Sequence, residues 1–263
     1  MPDDRRAEAA SAVATPRAED AIPFNVVTGA SDGLGCAVAE RLSARGETVL
    51  GLGRRARLEG IRFDYRSLDL AQPEAGDRFV KILGEAGRTR IGRLIHVAGI
   101  GWAGPVEDQP PDSIDAVLGV DFLAPTLLTR AAAPLLEGAG GRVVFVGSAA
   151  RYLPSPDFAV YAAAKAALDG FARSLRLEWR DRIEVQTIHP SGVATGMHER
   201  IGFDPGPARR RFLSVDAAAA RTVAALDGPD GVRTLGPAAW LARRVGRSAA
   251  LERTMARRRG TLR

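Results

Sequence analysis

The sequence has little cysteine and almost no lysine. A single cysteine, Cys36, among 263 residues excludes an internal disulfide and fits a reducing compartment. Lys81 and Lys165 are the only lysines, so arginine supplies 35 of the 37 basic side chains. An ammonium is a compact point charge and a guanidinium is a planar fork, so a lysine in such a chain indicates a position where that difference matters.

The sequence also lacks long apolar runs. No uninterrupted run approaches the roughly 18 residues of a membrane-spanning helix, and none is predicted. Residues 1–21 are alanine-rich and of mixed charge, without the apolar core of a secretory signal, and we expect a disordered extension there. With 46% hydrophobic residues, the rest of the chain can bury one core. These features predict a soluble, cytoplasmic protein.

Positive charge is unevenly distributed. The net charge is +6, yet residues 243–263 contain eight arginines and one glutamate, hence +7, and residues 1–242 are close to neutral. A nucleic-acid binder presents a basic face on its folded body, so we predict no nucleic-acid partner. Residues 237–263 form a basic tail that we expect to be partly helical. It could rest on an anionic membrane surface, although packing against the body is favoured.

A glycine-rich turn follows the first predicted strand. Residues 23–28 predict a strand, residues 29–35 read G-A-S-D-G-L-G, and a helix is predicted over residues 37–45. Glycines let backbone N–H groups approach a pyrophosphate, which the N-terminus of the following helix also attracts. The pattern predicts a dinucleotide site.

The end of the second predicted strand, residues 48–52, bears on the identity of the cofactor. An acidic residue near this point would bind the ribose hydroxyls of NAD(H), but the chain has Gly53, Arg54 and Arg55. Two guanidiniums suit the 2′-phosphate of NADP(H), which we predict over NAD(H). Asp32 in the glycine turn is an opposing charge, and a solvated arginine pair remains the alternative.

Strands and helices alternate along residues 22–236. This alternation predicts one α/β domain of Rossmann type, a doubly wound parallel sheet of about seven strands with helices on both faces. Residues 195–212 are rich in glycine and proline and would form a lid, or else a plain surface loop. The later strands are predicted at residues 66–70, 94–97, 142–147, 184–188 and 232–235.

A serine, a tyrosine and a lysine are spaced for catalysis. Residues 156–179 predict a helix on which Tyr161 and Lys165 share one face. A phenol with a pKa near ~10 carries protons poorly at neutral pH, and an adjacent cation favours its phenolate. Ser148, at the end of a predicted strand, could donate a hydrogen bond to the same substrate oxygen. The set predicts a general acid/base for a carbonyl or carbinol oxygen, although an i, i+4 pair alone would be an ordinary helix contact.

Residues 22–236 contain the glycine-rich turn and the serine, tyrosine and lysine set, and with these motifs they resemble the short-chain dehydrogenase/reductase family. The resemblance implies that Tyr161 is the acid/base, that Ser148 polarises the substrate oxygen, and that Lys165 binds the nicotinamide ribose and lowers the pKa of the tyrosine. Family members often pair through two long helices, so a homodimer or homotetramer is expected. The implied cofactor-binding residues are Gly29, Ser31, Asp32, Gly33, Leu34, Gly35, Arg54, Arg55, Asp69, Leu70, Ala98, Gly99, Tyr161, Lys165, Pro190, Val193 and Thr195.

One departure from the family concerns the mechanism. Where the family usually places an asparagine that leads a water-mediated proton path to the lysine, this chain has Asp121. A carboxylate there could pair with Lys165 and weaken the cation that tunes Tyr161. We expect an active enzyme with a shifted pH profile. The alternative is a cofactor-binding regulatory or scaffold protein with little or no turnover.

Apolar side chains after the strands and in the lid are placed to border a substrate. They favour an apolar or ring-bearing carbonyl compound, unless several of them simply pack the lid. The three histidines lack acidic neighbours in a metal-binding pattern, so no metal is predicted. The predicted activity is NADP(H)-dependent hydride transfer between a carbonyl compound and its alcohol. The candidate substrate residues are Trp102, Tyr152, Leu153, Phe158, Met197 and Phe203.

Overall fold

Short apolar stretches form a seven-stranded parallel sheet. The computed structural model describes residues 23–153 and 155–245, and within these residues the strand order is β3-β2-β1-β4-β5-β6-β7. The strands are β1 (Phe24–Thr28), β2 (Val49–Gly53), β3 (Asp64–Ser67), β4 (Ile91–His96), β5 (Arg142–Val146), β6 (Glu184–Pro190) and β7 (Gly231–Leu235). The predicted fold class is confirmed. The extension at residues 1–21 and the tail beyond residue 245 lie outside the described residues.

Helices cover both faces of the sheet. Alternate residues of each strand point to opposite faces, so Val26 packs in the layer of α2, α4 and α5, whereas Val27 packs in the layer of α1 and α7. All five residues of β1 and of β2 are buried, as expected for a sheet covered on both sides. The helices are α1 (Gly33–Ala44), α2 (Ala75–Glu85), α3 (Pro111–Leu118), α4 (Ala124–Glu137), α5 (Ala159–Glu178), α6 (Met197–Arg200), α7 (Val215–Leu226) and α8 (Pro237–Val245).

Several element boundaries differ from the sequence prediction by two to four residues, and two of these differences have an identifiable structural cause. Helix α1 begins at Gly33 rather than residue 37, because the Asp32 carboxylate accepts a hydrogen bond from the Gly33 N–H at 2.7 Å and starts the helix inside the glycine turn. Strand β3 occupies Asp64–Ser67 rather than residues 66–70, and Leu68 and Leu70 beyond it turn into the core. Both effects depend on contacts that a local hydrophobic pattern does not encode.

The stretch Pro111–Glu137 is a single run of helical turns. A π-helical turn, Gly119–Leu123, joins α3 to α4. By length and composition alone the run could cross a membrane, which is weak evidence because core helices of globular proteins meet the same criterion. Leu128, Ala132 and Leu136 of this run are fully buried against the sheet.

Candidate active site

A cavity of about 530 Å³ lies at the carboxyl ends of the strands. Its walls come from the segments that follow β1 to β6, including the glycine turn, Ser148, Tyr161 and part of the lid. Because β1 is flanked by β2 on one side and β4 on the other, the chain order reverses at this point in the sheet. Ligands of open parallel sheets bind at such a switch point.

The glycine turn is shaped to receive an anion. Gly29 has a φ of +71°, and a Cβ there would lie 2.8 Å from the Ala98 Cα. A Cβ on Gly35 would overlap the Gly29 carbonyl. The Thr28 hydroxyl accepts hydrogen bonds from the N–H groups of Val97 and Ala98, at 3.2 and 3.3 Å, which holds the ends of β1 and β4 together. Only glycine fits these positions, and the turn leads straight into the N-terminus of α1.

The cavity is lined by positively charged side chains where it borders the end of β2. Arg54 and Arg55 are exposed and line this end, next to Ser31. A Cβ on Gly53 would lie 2.7 Å from the Ser31 hydroxyl, so this position has no room for the acidic side chain that NAD(H) would favour. The Tyr65 hydroxyl donates to the Arg55 carbonyl at 2.8 Å and fixes the loop. Together with the glycine turn, these residues fit a phosphorylated dinucleotide.

The three predicted catalytic side chains meet on one wall of the cavity. Ser148, Tyr161 and Lys165 all line it. The Ser148 oxygen accepts a hydrogen bond from the Ala150 N–H at 3.1 Å. The Ser148 hydroxyl also acts on the Tyr161 phenol and lowers its pKa. The Lys165 ammonium lies 5.7 Å from the centroid of the Tyr161 ring. The i, i+4 spacing on α5 therefore places a phenol and a cation side by side.

Asp121 is paired with Lys165 in the interior. The Lys165 Nζ lies 2.6 Å from the Asp121 Oδ1, and the two side chains are 4% and 0% exposed. The second carboxylate oxygen accepts a hydrogen bond from the Ile100 N–H at 3.2 Å. A Cβ on Gly99 would lie 2.8 Å from the Asp121 Oδ1 and 3.3 Å from the Lys165 Nζ, so a glycine makes room for the pair. The π-helical turn carries Asp121 to this position.

The buried pair changes the protonation balance of the tyrosine. Burial raises the pKa of the Tyr161 phenol; the cation of Lys165 and the hydrogen bond from Ser148 lower it, while Asp121 raises it. Burial favours the neutral amine of Lys165, but the charges of Asp121 and Tyr161 and the hydrogen bond to Asp121 together outweigh burial, and the pKa of Lys165 is raised. Lys165 thus acts on the tyrosine in the expected direction, yet the pKa of Tyr161 is raised, because burial outweighs the cation and Asp121 adds to the increase.

Some of the predicted substrate residues reach the cavity and others do not. Phe158, Met197 and Phe203 line it. Trp102, Tyr152 and Leu153 are not among the lining residues. The Tyr152 ring packs edge-on against His189 with its centroid 5.3 Å away, and the Trp102 ring lies over Gly104. Sequence position after a strand put these residues near the site, but their side chains turn elsewhere.

The segment 195–212 contributes two polar residues that sequence reasoning missed. His198 and Arg200, both on α6, line the cavity. The Arg200 guanidinium donates a hydrogen bond to the Asp32 carboxylate at 2.9 Å. No local signal could identify this contact, because the two residues are 168 positions apart in the sequence.

Two of the three histidines are buried and do not line the cavity. The ring of His96 is buried, its Nε2 lies 2.9 Å from the Thr129 hydroxyl, and burial lowers its pKa to about 3, so it is neutral. His189 is buried with its Nε2 3.2 Å from Asp169, and burial lowers its pKa as well. In residues 23–153 and 155–245 no group of three or more His, Cys, Asp or Glu side chains is arranged to hold a metal ion.

Comparison with known proteins gives consistent matches. Residues 24–205 match the family model for short chain dehydrogenases. A short chain dehydrogenase of Pseudocercospora fijiensis (strain CIRAD86) is 34% identical over 168 residues, covering 58% of this chain and 53% of that protein. Three of the curated relatives are matched over only 53% to 60% of their length.

Solved structures match over more of the chain. A short chain dehydrogenase from Burkholderia cenocepacia J2315 in complex with NADP gives a TM-score of 0.75 at 26% identity, covering 89% of this chain and 96% of that chain. A short-chain dehydrogenase from Sphingobium yanoikuyae in complex with NADPH gives a TM-score of 0.72 at 25% identity, covering 92% of this chain and 95% of that chain. The likeness therefore extends over the sheet and the segments that build the cavity.

Proposed function

Because this chain belongs to the short-chain dehydrogenase/reductase family, we propose that it is an NADP(H)-dependent oxidoreductase that interconverts a carbonyl compound and its alcohol. The observation that carries the proposal is the meeting of Ser148, Tyr161 and Lys165 on the wall of a cavity that also contains the glycine turn. When bound, the nicotinamide supplies or accepts the hydride.

The side chains of the protein would handle the proton. In the reducing direction, the Tyr161 phenol donates its proton to the substrate oxygen as that oxygen gains negative charge, and in the oxidising direction the phenolate takes the proton back. The Ser148 hydroxyl holds the same oxygen by a hydrogen bond. Lys165 stabilises the phenolate, although Asp121 at 2.6 Å weakens this effect.

The preference for NADP(H) rests on Arg54 and Arg55. Their guanidiniums line the cavity where the chain has no room for an acidic side chain at Gly53. Two solved structures of similar proteins are complexes with NADP or NADPH, which supports the same cofactor type here. The apolar rings of Phe158 and Phe203 favour a hydrophobic carbonyl substrate.

A panel of ketones and aldehydes tests the proposed function. The full-length protein is incubated with each compound and with NADPH or NADH, and the absorbance of the reduced nicotinamide is followed. We expect NADPH consumption with at least one hydrophobic carbonyl compound. Tight NADPH binding without turnover on a broad panel, or no binding of either cofactor, would contradict the proposal.

Reversing the charge of Arg54 should change the cofactor preference. In Arg54→Glu a charge-assisted hydrogen bond to the 2′-phosphate is replaced by repulsion, so the KM for NADPH should rise about 10- to 100-fold while that for NADH changes little. Arg57→Glu is the matched control, because Arg57 is exposed and does not line the cavity. Equal effects of the two substitutions would show that Arg54 does not contact the phosphate.

Substituting Asp121 should move the pH dependence of turnover. Asp121 raises the pKa of Tyr161, so Asp121→Asn should lower that pKa. Reduction requires the protonated phenol and is lost as pH rises through its pKa; the alkaline limb of the kcat profile should therefore move to lower pH. Asp115→Asn, the same chemical change at an exposed position of α3, should leave the profile in place. An unchanged profile in Asp121→Asn would refute the coupling.

A further inference from the structure

The lid touches the glycine turn at two points. The Thr195 methyl carbon lies 3.4 Å from the position that a Cβ on Gly33 would occupy. Five residues further, the Arg200 Nη1 lies 2.9 Å from the Asp32 Oδ2. Both members of this ion pair line the cavity, Asp32 as the N-cap of α1 and Arg200 as the last residue of α6. The pair therefore joins two walls of the cofactor cavity.

Both side chains of the pair are held in position. One carboxylate oxygen of Asp32 caps α1 by accepting from the Gly33 N–H at 2.7 Å, which directs the other oxygen toward the lid. Arg200 ends α6, and its guanidinium passes over Gly196, where a Cβ would lie 3.1 Å from the Nη1. The glycine leaves the space that the arginine side chain occupies.

A second part of the lid, at Phe203, is held by aromatic contacts. The Phe203 ring packs edge-to-face on Phe158 with 4.8 Å between centroids, and Phe158 packs in the same manner on Tyr161 at 6.4 Å. The lid thus contacts Phe158, next to Tyr161, through an aromatic ring, and it contacts the glycine turn through an ion pair. Only the second attachment lies beside the expected path of the pyrophosphate.

A carboxylate at Asp32 is unfavourable for binding phosphates on its own. Arg200 at 2.9 Å and Arg55 at 3.9 Å compensate its charge in this structure. We propose that the Asp32–Arg200 ion pair is a latch that keeps the lid closed over the dinucleotide and limits the rate of cofactor release. The proposal depends on the proposed function, since it assumes a dinucleotide in this cavity.

The direction in which one substitution changes the rate of NADPH release distinguishes the latch from simple repulsion between the carboxylate and the phosphates. Asp32→Asn keeps the oxygen that caps α1 and removes the charge. If the carboxylate only repelled phosphates, NADPH would leave this variant more slowly. If the latch controls release, NADPH should leave roughly two- to fivefold faster, the range expected for an exposed ion pair. Arg200→Gln should have a similar effect, and the double variant should be no faster than the faster single variant.

The measurement is stopped-flow release of NADPH, displaced by excess NADP⁺ and followed by nicotinamide fluorescence. Because the pair is about half exposed, added salt should speed release from the wild type toward the rate of Asp32→Asn. Glu199→Gln is the matched control: it breaks a lid ion pair of the same 2.9 Å length, to Arg209, that does not line the cofactor cavity. Release from this control should match the wild type.

The outcomes separate the two proposals. Wild-type protein that binds neither NADPH nor NADP⁺ would overturn the function and the latch together. Normal NADPH binding with slower or unchanged release from Asp32→Asn would overturn the latch alone. Additive acceleration by the two single substitutions would show that Asp32 and Arg200 act on the cofactor independently, which also contradicts the latch.

Discussion

Replacing Tyr161 with phenylalanine should lower kcat by a factor on the order of 10²–10⁴, the usual contribution of a positioned acid or base. In the proposed mechanism, the Tyr161 phenol donates its proton to a substrate oxygen that Ser148 also holds. The Tyr161 ring packs edge-on against Phe158, so phenylalanine keeps this ring contact and removes only the proton carrier. The dinucleotide should still bind.

The measurement compares turnover with NADPH affinity in the same preparation. An unchanged dissociation constant for NADPH and an unchanged unfolding midpoint would show that the loss concerns proton transfer. Ser148→Ala should give a smaller loss, since it removes a hydrogen bond and leaves the acid in place. If Tyr161→Phe kept more than about a tenth of the wild-type kcat, another group would have to supply the proton.

Removing the cation of the buried pair should strongly destabilise the protein. Lys165→Met leaves Asp121 with no counter-ion in the interior, and breaking one side of a buried ion pair typically costs about 3–5 kcal/mol. Urea unfolding at neutral pH measures the loss. Burial raises the pKa of Asp121, and the variant lacks the cation that opposed this increase. The carboxyl should therefore become protonated as the pH falls below neutral, and the loss of stability relative to the wild type should shrink there.

The chain offers its own control for this prediction. Lys81 pairs with Glu85 at 3.8 Å on the surface of α2, and the two side chains are 76% and 60% exposed. Lys81→Met should therefore change the free energy of unfolding by less than about 0.5 kcal/mol. The double variant Asp121→Asn with Lys165→Met should recover most of the lost stability. If Lys165→Met were as stable as Lys81→Met, the pair would have no structural role.

The features that could be predicted from the sequence are those encoded locally. Tyr161 and Lys165 lie side by side because residues four apart share a helix face, and the glycine turn is indicated by its position between a strand and a helix. The alternation of strands and helices predicted the fold class, which the structure confirms. The roles of the catalytic and cofactor-binding residues stay predictions.

Other features depend on tertiary contacts that a single sequence does not encode. The π-helical turn around Asp121 cannot be recognised in the sequence, because a helix with one inserted residue has nearly the same hydrophobic pattern as an ordinary α-helix. Trp102 and Tyr152 follow strands as substrate residues do, but their rings pack on Gly104 and His189 and do not line the cavity. The contact between Asp32 and Arg200 joins segments that meet only once the sheet is assembled.

The π-helical turn at Gly119–Leu123 also sets the rotational phase of the helix that follows it. An α-helix advances about 100° per residue, so deleting one residue from this turn would rotate α4 relative to α3 by roughly a quarter of a revolution. Leu128 and Leu136, which are fully buried, would swing toward the rim of the interface with the sheet. The π-helical turn thus determines both the position of the Asp121 carboxylate beside Lys165 and the direction of the hydrophobic face of α4. A change in this turn would displace both.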